Sequence, residues 1–198
     1  CVTRRQRQMC IRDRYNTEST NKLKGDCTFN HLDWEIEQTL NNPTNKQILT
    51  CLNKGASALL LKDIPPQDIE TVLENVLFQY IQTSIQSKSI KSSLDTFISL
   101  IEKRGLEKKS IKGSLHFDPL MDCLKKGVIN TDLWENFRSI QEKSSALKAF
   151  KSVNIQGVEY HNAGASISQE LAFTIAQLSE YFSNSPSLEP NKIQISLV

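Results

Sequence analysis

From Lys46 onward, short apolar runs alternate about five times with longer stretches whose apolar residues recur every three or four positions. A run of four to eight apolar residues suits a buried strand, and the three-and-four spacing suits one face of a helix. Strands joined through helices must run parallel, because a hairpin cannot make that connection. Ile48, Leu49 and Leu52 form a first helical face that stops at Gly55, and ASALLLKD (56–63) follows as a strand. Pro65 and Pro66 open a second helix, with Asp68 and Glu70 in its first turn and Ile69, Val72, Leu73, Val76 and Leu77 as its face. QYIQTSI (79–85) reads as the next strand. Ile90, Leu94, Phe97, Ile98 and Ile101 make a helix ended by Gly105, and IKGSLHF (111–117) returns as a strand. Helical stretches near 119–126 and 131–143 lead to FKSVNIQGVEY (150–160), another strand. Ser166 and Gln169 match a capping box for a last helix, whose expected buried stripe is Leu171, Ile175, Leu178 and Phe182. A Ser/Pro-rich loop then leads into KIQISLV as a final strand.

Two parallel architectures fit this rhythm: an open doubly wound sheet and part of an eight-stranded barrel. A dinucleotide-binding sheet would carry G-x-G-x-x-G after its first strand, and a nucleotide-binding P-loop its own glycine pattern. Neither is present, which tilts the balance to a barrel. No apolar run reaches the roughly 20 residues that span a bilayer. The net charge of +2 conceals an asymmetry. Residues 1–14 hold five arginines and one aspartate, a sum of +4, so the other 184 residues sum to −2. That basic string lacks an apolar face and aromatic interleaving, and no second basic patch continues it. It is read as a non-native, adapter-like leader rather than a nucleic-acid arm. Residues 15–45 form a polar lead-in with one apolar cluster at Leu32, Trp34 and Ile36, and 46–198 form the partial barrel. Cys1, Cys10, Cys27, Cys51 and Cys123 are odd in number and widely spread, which argues against a disulfide framework or a zinc site and fits a reducing, cytoplasmic compartment. Trp34 and Trp134 are isolated and suit core or interface anchors.

In parallel β/α folds chemistry gathers at the C-terminal ends of strands. Two such ends carry polar residues: His116 with Asp118 in GSLHFDPL, and Glu159, Tyr160, His161 and Asn162 in GVEYHNAGAS. Histidine beside a carboxylate suits acid/base work near neutral pH. The same residues suit loop hydrogen bonds at a barrel rim, and that is the reading preferred for them. A metal is not expected, since the E-Y-H order lacks a helix-face ligand spacing. AGAS (163–166) opens a helix with small residues, which suits close strand–helix packing more than anion binding. No serine sits in a nucleophile elbow.

The stretch GVEYHNAGASISQELAFTIAQLSEYF (157–182) closely resembles the methylmalonyl-CoA mutase family, whose catalytic chains read G-Y-H-M-Q-E-A-G-A-T before an E-L-A helix. GSLHFDPL (113–120) likewise resembles G-T-I-Q-N-D-I-L, and GASALLLKD and QISLV add support across roughly residues 30–198. The resemblance implies a (β/α)₈ barrel, here partial and truncated at its C-terminus, followed in the family by a cobalamin-binding domain. It also implies an isomerisation between methylmalonyl-CoA and succinyl-CoA, started by homolysis of adenosylcobalamin, with the protein positioning and shielding the cofactor.

The departures point to the family's small, non-catalytic subunit. Set against the family without gaps, the active-site histidine falls on Glu159 and the active-site glutamine on His116. A carboxylate in that place would repel the substrate's own carboxylate. The arginine-bearing Y-P-P-x-P-S-M-R segment is not recognisable, and LWENFRSIQEKSS (133–145) stands there instead. The expectation is a chain with no catalytic residues of its own that pairs with a methylmalonyl-CoA mutase large subunit holding the adenosylcobalamin. His116, Glu159, Tyr160, His161 and Asn162 are then pocket-rim candidates for acyl-CoA. An enzyme using Glu159 and His116 on an acyl-CoA is the alternative reading, and an unrelated β/α binding protein a third. The cobalamin-ligating D-x-H-x-x-G is not in these 198 residues. Taken alone, a partial barrel should aggregate through its open edges and exposed helix faces. No nucleic-acid or membrane partner is expected.

Overall fold

A computed structural model describes residues 35–198. The basic leader, the cysteines at 1, 10 and 27, and the cluster residues Leu32 and Trp34 lie outside the described residues. Seven strands alternate with helices: β1 (Glu37–Asn41), α1 (Asn45–Asn53), β2 (Ala58–Lys62), α2 (Ile69–Val72), β3 (Gln82–Gln86), α3 (Ile90–Lys103), β4 (Gly113–Ser114), α4 (Pro119–Lys126), α5 (Leu133–Ser144), β5 (Phe150–Lys151), β6 (Val153–Gln156), α6 (Val158–Asn162), α7 (Ile167–Asn184) and β7 (Ile193–Ser196).

Every pairing is parallel and joins neighbours in sequence. β1–β2–β3 share one ladder, with Glu37 opposite Ala58 and Ala58 opposite Gln82. Bridges Gln82–Lys112 and Ile85–Leu115 carry the order to β4, which pairs with β5, and β6 pairs with β7. β5 and β6 are one strand interrupted at Ser152, whose amide donates to Lys192 O at 2.8 Å. The strand order therefore advances in one direction without a switch point. Leu59, Leu61, Ile85, Leu115 and Phe150 pack with Ile48 of α1, Ile69 of α2, Leu94, Phe97 and Ile101 of α3 and Ile140 of α5 in one core. A smaller core joins Val153 and Ile155 to Phe137 of α5 and Tyr181 of α7. The helices named here lie against one face of the strands, as winding in one direction requires, whereas a doubly wound sheet would carry them on both. β1 and β7 are not paired with each other among the described residues, so the sheet does not close there.

Strand residues alternate between this helix-covered outer face and an inner face away from the helices. Since Leu59, Leu61, Ile85 and Leu115 point outward, Leu60, Lys62, Ser84, Gln86, Ser114 and His116 point inward. Full burial of each outward Leu or Phe contributes roughly 1.5–3 kcal/mol. Gly113 is set by contact: a Cβ there would lie 1.9 Å from Thr83 O and 2.7 Å from Phe150 Cε2. Arg104 pins the turn after α2 to α3 by donating to Leu73 O (2.8 Å) and Val76 O (2.9 Å), with its guanidinium 4.8 Å from the Phe78 ring centre.

Four expectations differ from the observed elements. The sheet begins before position 46, with β1 inside the segment read as lead-in. EQTLN offers only Leu40 to the core, which is enough for an edge strand but too little for a periodic signal. The second helix is a 3₁₀ turn (Pro66–Asp68) and one α-turn, and Leu77 is 58 % exposed, because the chain turns away after Leu73. The strand read over 150–160 ends at Gln156, and 158–162 are helical. On α7 the buried residues are Glu170, Thr174, Gln177 and Tyr181, whereas Leu171 and Ile175 are 49 % and 56 % exposed. The expected stripe lies about a quarter turn away from the observed one, given 100° per residue. The Ser166 capping box is present: Ser166 N donates to Gln169 Oε1 at 2.9 Å and Gln169 N to Ser166 Oγ at 3.4 Å.

Candidate functional site

The C-terminal ends of β4 and β6 meet the helices α4, α6 and α7, and Asp118 lies at the centre of that meeting. It follows β4, caps α4, and is 2 % exposed. Its Oδ1 accepts from Met121 N (3.1 Å), Gln177 Nε2 (2.6 Å) and the Tyr181 hydroxyl (2.7 Å), and its Oδ2 from Gln156 N (2.9 Å). Tyr181 Oη also accepts from Leu120 N at 3.2 Å, and the Tyr160 hydroxyl donates to Gln177 Oε1 at 3.0 Å. Burial raises the Asp118 pKa, while the four donors pull it back down. Burial and the neighbouring Asp118 charge raise the Tyr160 and Tyr181 hydroxyls, so both stay protonated donors. Gln177 and Tyr181 of α7 thus satisfy a buried carboxyl, and that requirement competes with the apolar stripe. Trp134 stands edge-on to Phe137 (6.0 Å) and Tyr181 (5.9 Å), the core anchor expected of it.

The five rim candidates divide into two places. Glu159, Tyr160, His161 and Asn162 all lie on α6, not on a strand end, and no hydrogen bond or ion pair among the described residues joins them to His116. Glu159 pairs with Lys125 of α4 at 3.1 Å. Both side chains are partly exposed, so the pair orients α6 more than it stabilises it, at no more than about 1 kcal/mol. His161 Nδ1 lies 3.3 Å from Oε2 of buried Glu170, whose Oε1 accepts from Val198 N at 2.9 Å. The His161 contact lacks hydrogen-bond alignment. The Tyr160 ring packs on Phe173 at 5.3 Å, and Asn162 is exposed.

His116 stands on the inner face. Its backbone N–H donates to Ile85 O (2.8 Å), and its Nδ1 accepts from Asn154 Nδ2 (3.1 Å). Asn154 Oδ1 in turn accepts from the Ser196 hydroxyl at 2.9 Å. That chain of bonds places the neutral ring's proton on Nε2. Burial first, and the Lys62 charge second, lower its pKa to about 4. Asp118 was legible beside His116 in the sequence. Asn154, Ser196, Lys62, Gln177 and Glu170 were not, although 170, 174, 177 and 181 share a helix-face spacing that a search for polar periodicity would find.

Among the described residues, no group of three or more His, Cys, Asp or Glu is poised to hold a metal ion. No described helix is long and apolar enough to cross a membrane. Cys51 and Cys123 are free, half-buried thiols.

Fold and site together define a parallel α/β protein wound in one direction, with a polar inner face and a hydrogen-bonded rim at the strand ends. A family described as methylmalonyl-CoA mutase matches residues 65–189, and the chain belongs to that family. It is 26 % identical over 157 residues to a methylmalonyl-CoA mutase small subunit of Porphyromonas gingivalis, covering 74 % of this chain and 25 % of that one. A small subunit of the same name from Streptomyces virginiae is 26 % identical over 160 residues, covering 75 % and 26 %. A 2-hydroxyisobutanoyl-CoA mutase large subunit of Aquincola tertiaricarbonis is 27 % identical over 119 residues, covering 58 % and 21 %. The chain spans about a quarter of the length of the small subunits it matches.

Proposed function

We propose that this chain is part of the small subunit of an adenosylcobalamin-dependent methylmalonyl-CoA mutase, a partial (β/α)₈ barrel that supports a catalytic large subunit in a cytoplasmic heterodimer. The observation that carries the reading is the state of Glu159, the position on which the family's active-site histidine falls. On the rim helix α6, its carboxylate is held by Lys125 of α4. The small-subunit relatives support the same reading. His116, where the family has glutamine, keeps a neutral ring and offers a donor, not a base, at neutral pH.

Adenosylcobalamin supplies radical initiation in such an enzyme. His116 does not fit as its cobalt ligand, because the bond from Asn154 occupies its Nδ1 and leaves the ring proton on Nε2. The cofactor is therefore assigned to the large subunit. The reading is tested by expressing the full-length gene with and without the large subunit and assaying succinyl-CoA conversion with adenosylcobalamin. Turnover only with both chains, and their co-elution, is expected. Turnover by this chain's protein alone would overturn it in favour of an acyl-CoA mutase in its own right.

A further inference from the structure

The chain from Val158 to Gln169 contains no buried residue, although a buried residue, Gly157 or Glu170, stands at each end of it. α6 lies inside that span. It is the one α-helix among the described residues that buries none of its side chains. Helices in proteins draw most of their stability from packing an apolar face. Five residues without one are held by whatever their side chains reach.

Those ties are few. The Lys125–Glu159 pair is partly exposed on both sides, and the His161 approach to Glu170 lacks alignment. That leaves Tyr160, which rests its ring on half-exposed Phe173 and donates its hydroxyl to Gln177 Oε1 at 3.0 Å. The polarity of this bond is set from below. Asp118 accepts from four donors, so Gln177 turns its amide nitrogen to the carboxyl at 2.6 Å and its oxygen to Tyr160. The two ends of the segment also differ. Gly157 is wedged, since a Cβ there would lie 2.5 Å from Thr174 Oγ1. Gly164 has a φ of +98°, and a Cβ there would meet nothing within 4 Å, so it can change its backbone angles without losing a contact.

We infer that residues 158–165 form a strap at the strand ends that opens as a unit, turning at Gly164 while both apolar cores stay folded, with the Tyr160–Gln177–Asp118 relay as its latch. Opening parts the Tyr160 hydroxyl from Gln177 and lets water reach both. Asp118 keeps all four of its donors, so no buried carboxyl is left unpaired by the motion. Local opening of this kind belongs to segments with few buried contacts. The inference concerns motion within this chain and stands apart from the partner reading.

The test is hydrogen–deuterium exchange of the full chain at neutral pH, read by mass spectrometry on peptides from 158–165, from the second half of α7 and from α3. Where closing outpaces chemical exchange, the rate reports the open fraction. Exchange over 158–165 should be at least about a hundredfold faster than over the α7 peptide. Tyr160→Phe keeps the ring and removes the latch bond. It should speed exchange over 158–165 about fivefold and leave the α3 and α7 peptides unchanged. Gly164→Ala meets no atom but disfavours the left-handed backbone, and should speed the same peptide by a similar factor. Protection of 158–165 equal to that of α7 would overturn the inference. So would a Tyr160→Phe effect shared equally by α3, because the segment would then open only with the whole fold.

Discussion

His116 and Asp118 are two residues apart and carry opposite electrostatic consequences. The His116 pKa is held at about 4, below its ordinary 6.5. Between those values the unfolded chain binds a proton that the folded chain refuses. Stability is thus fully present above pH 6.5 and falls as pH drops towards 4, after which the loss levels off. The shift corresponds to roughly 3 kcal/mol, and partial solvent access reduces it to on the order of 1–2 kcal/mol. Urea unfolding at steps from pH 7 to pH 4 should show this loss in the parent and a flatter profile in His116→Gln. A profile of equal slope in both would disprove the account. Asp118, with its raised pKa, works in the other direction, so the comparison with the variant isolates the histidine. Asp118→Ala leaves four donors without their acceptor and should cost about 3 kcal/mol. Tyr181→Phe removes one bond to the carboxyl and one from Leu120 N and should cost about 1–2 kcal/mol. Equilibrium denaturation measures both. Asp118 and His116 could be picked from the sequence because both are polar at a strand end. Their partners could not, because Gln177 and Tyr181 are about sixty positions away and nothing local links them.

At the scale of elements, the sequence was most legible where one requirement acted alone. The strand β2, the long helix α3 and the Ser166 cap answer to local periodicity and local hydrogen bonds, and they stand where those signals put them. Where two requirements competed, the reading failed. The apolar run through GVEY ended early, because Gly157 brings the backbone against α7 and β7 and the chain turns into α6. A Cβ at Gly157 would lie 2.5 Å from Thr174 Oγ1 and 2.9 Å from Ser196 O. Gly157→Ala should therefore separate β6 from α7 and cost about 2–3 kcal/mol, as overpacking against a backbone does. A thermal melt within about 1 °C of the parent would contradict this contact. On α7 the demand of buried Asp118 for donors turns Gln177 and Tyr181 inward in place of the apolar stripe. Periodicity counts apolar residues and is blind to a carboxyl supplied from another element.

At the scale of the molecule, the displaced stripe has a consequence for solubility. Leu171, Phe173 and Ile175 are 49 %, 46 % and 56 % exposed on α7, and Ile195, Leu197 and Val198 are 44 %, 51 % and 72 % exposed along and beyond β7. β7 pairs only with β6 among the described residues, so its other side presents free backbone donors and acceptors beside apolar side chains. An open edge of that kind templates pairing with another chain, and a large apolar patch promotes association. The chain on its own should therefore self-associate, with light scattering that rises with concentration between about 5 and 100 μM, where such weak contacts form. Leu171→Gln with Ile175→Gln should lower the scattering while shifting stability by less than about 0.5 kcal/mol, because neither side chain is in the core. Glu170→Ala at the same helix should do the reverse, loosening the fold by removing the acceptor for Val198 N and the partner of His161. A monomer at every concentration would show that this face and edge are not adhesive. Large destabilisation by the glutamine pair would instead restore Leu171 and Ile175 to the core stripe that the sequence pattern suggested.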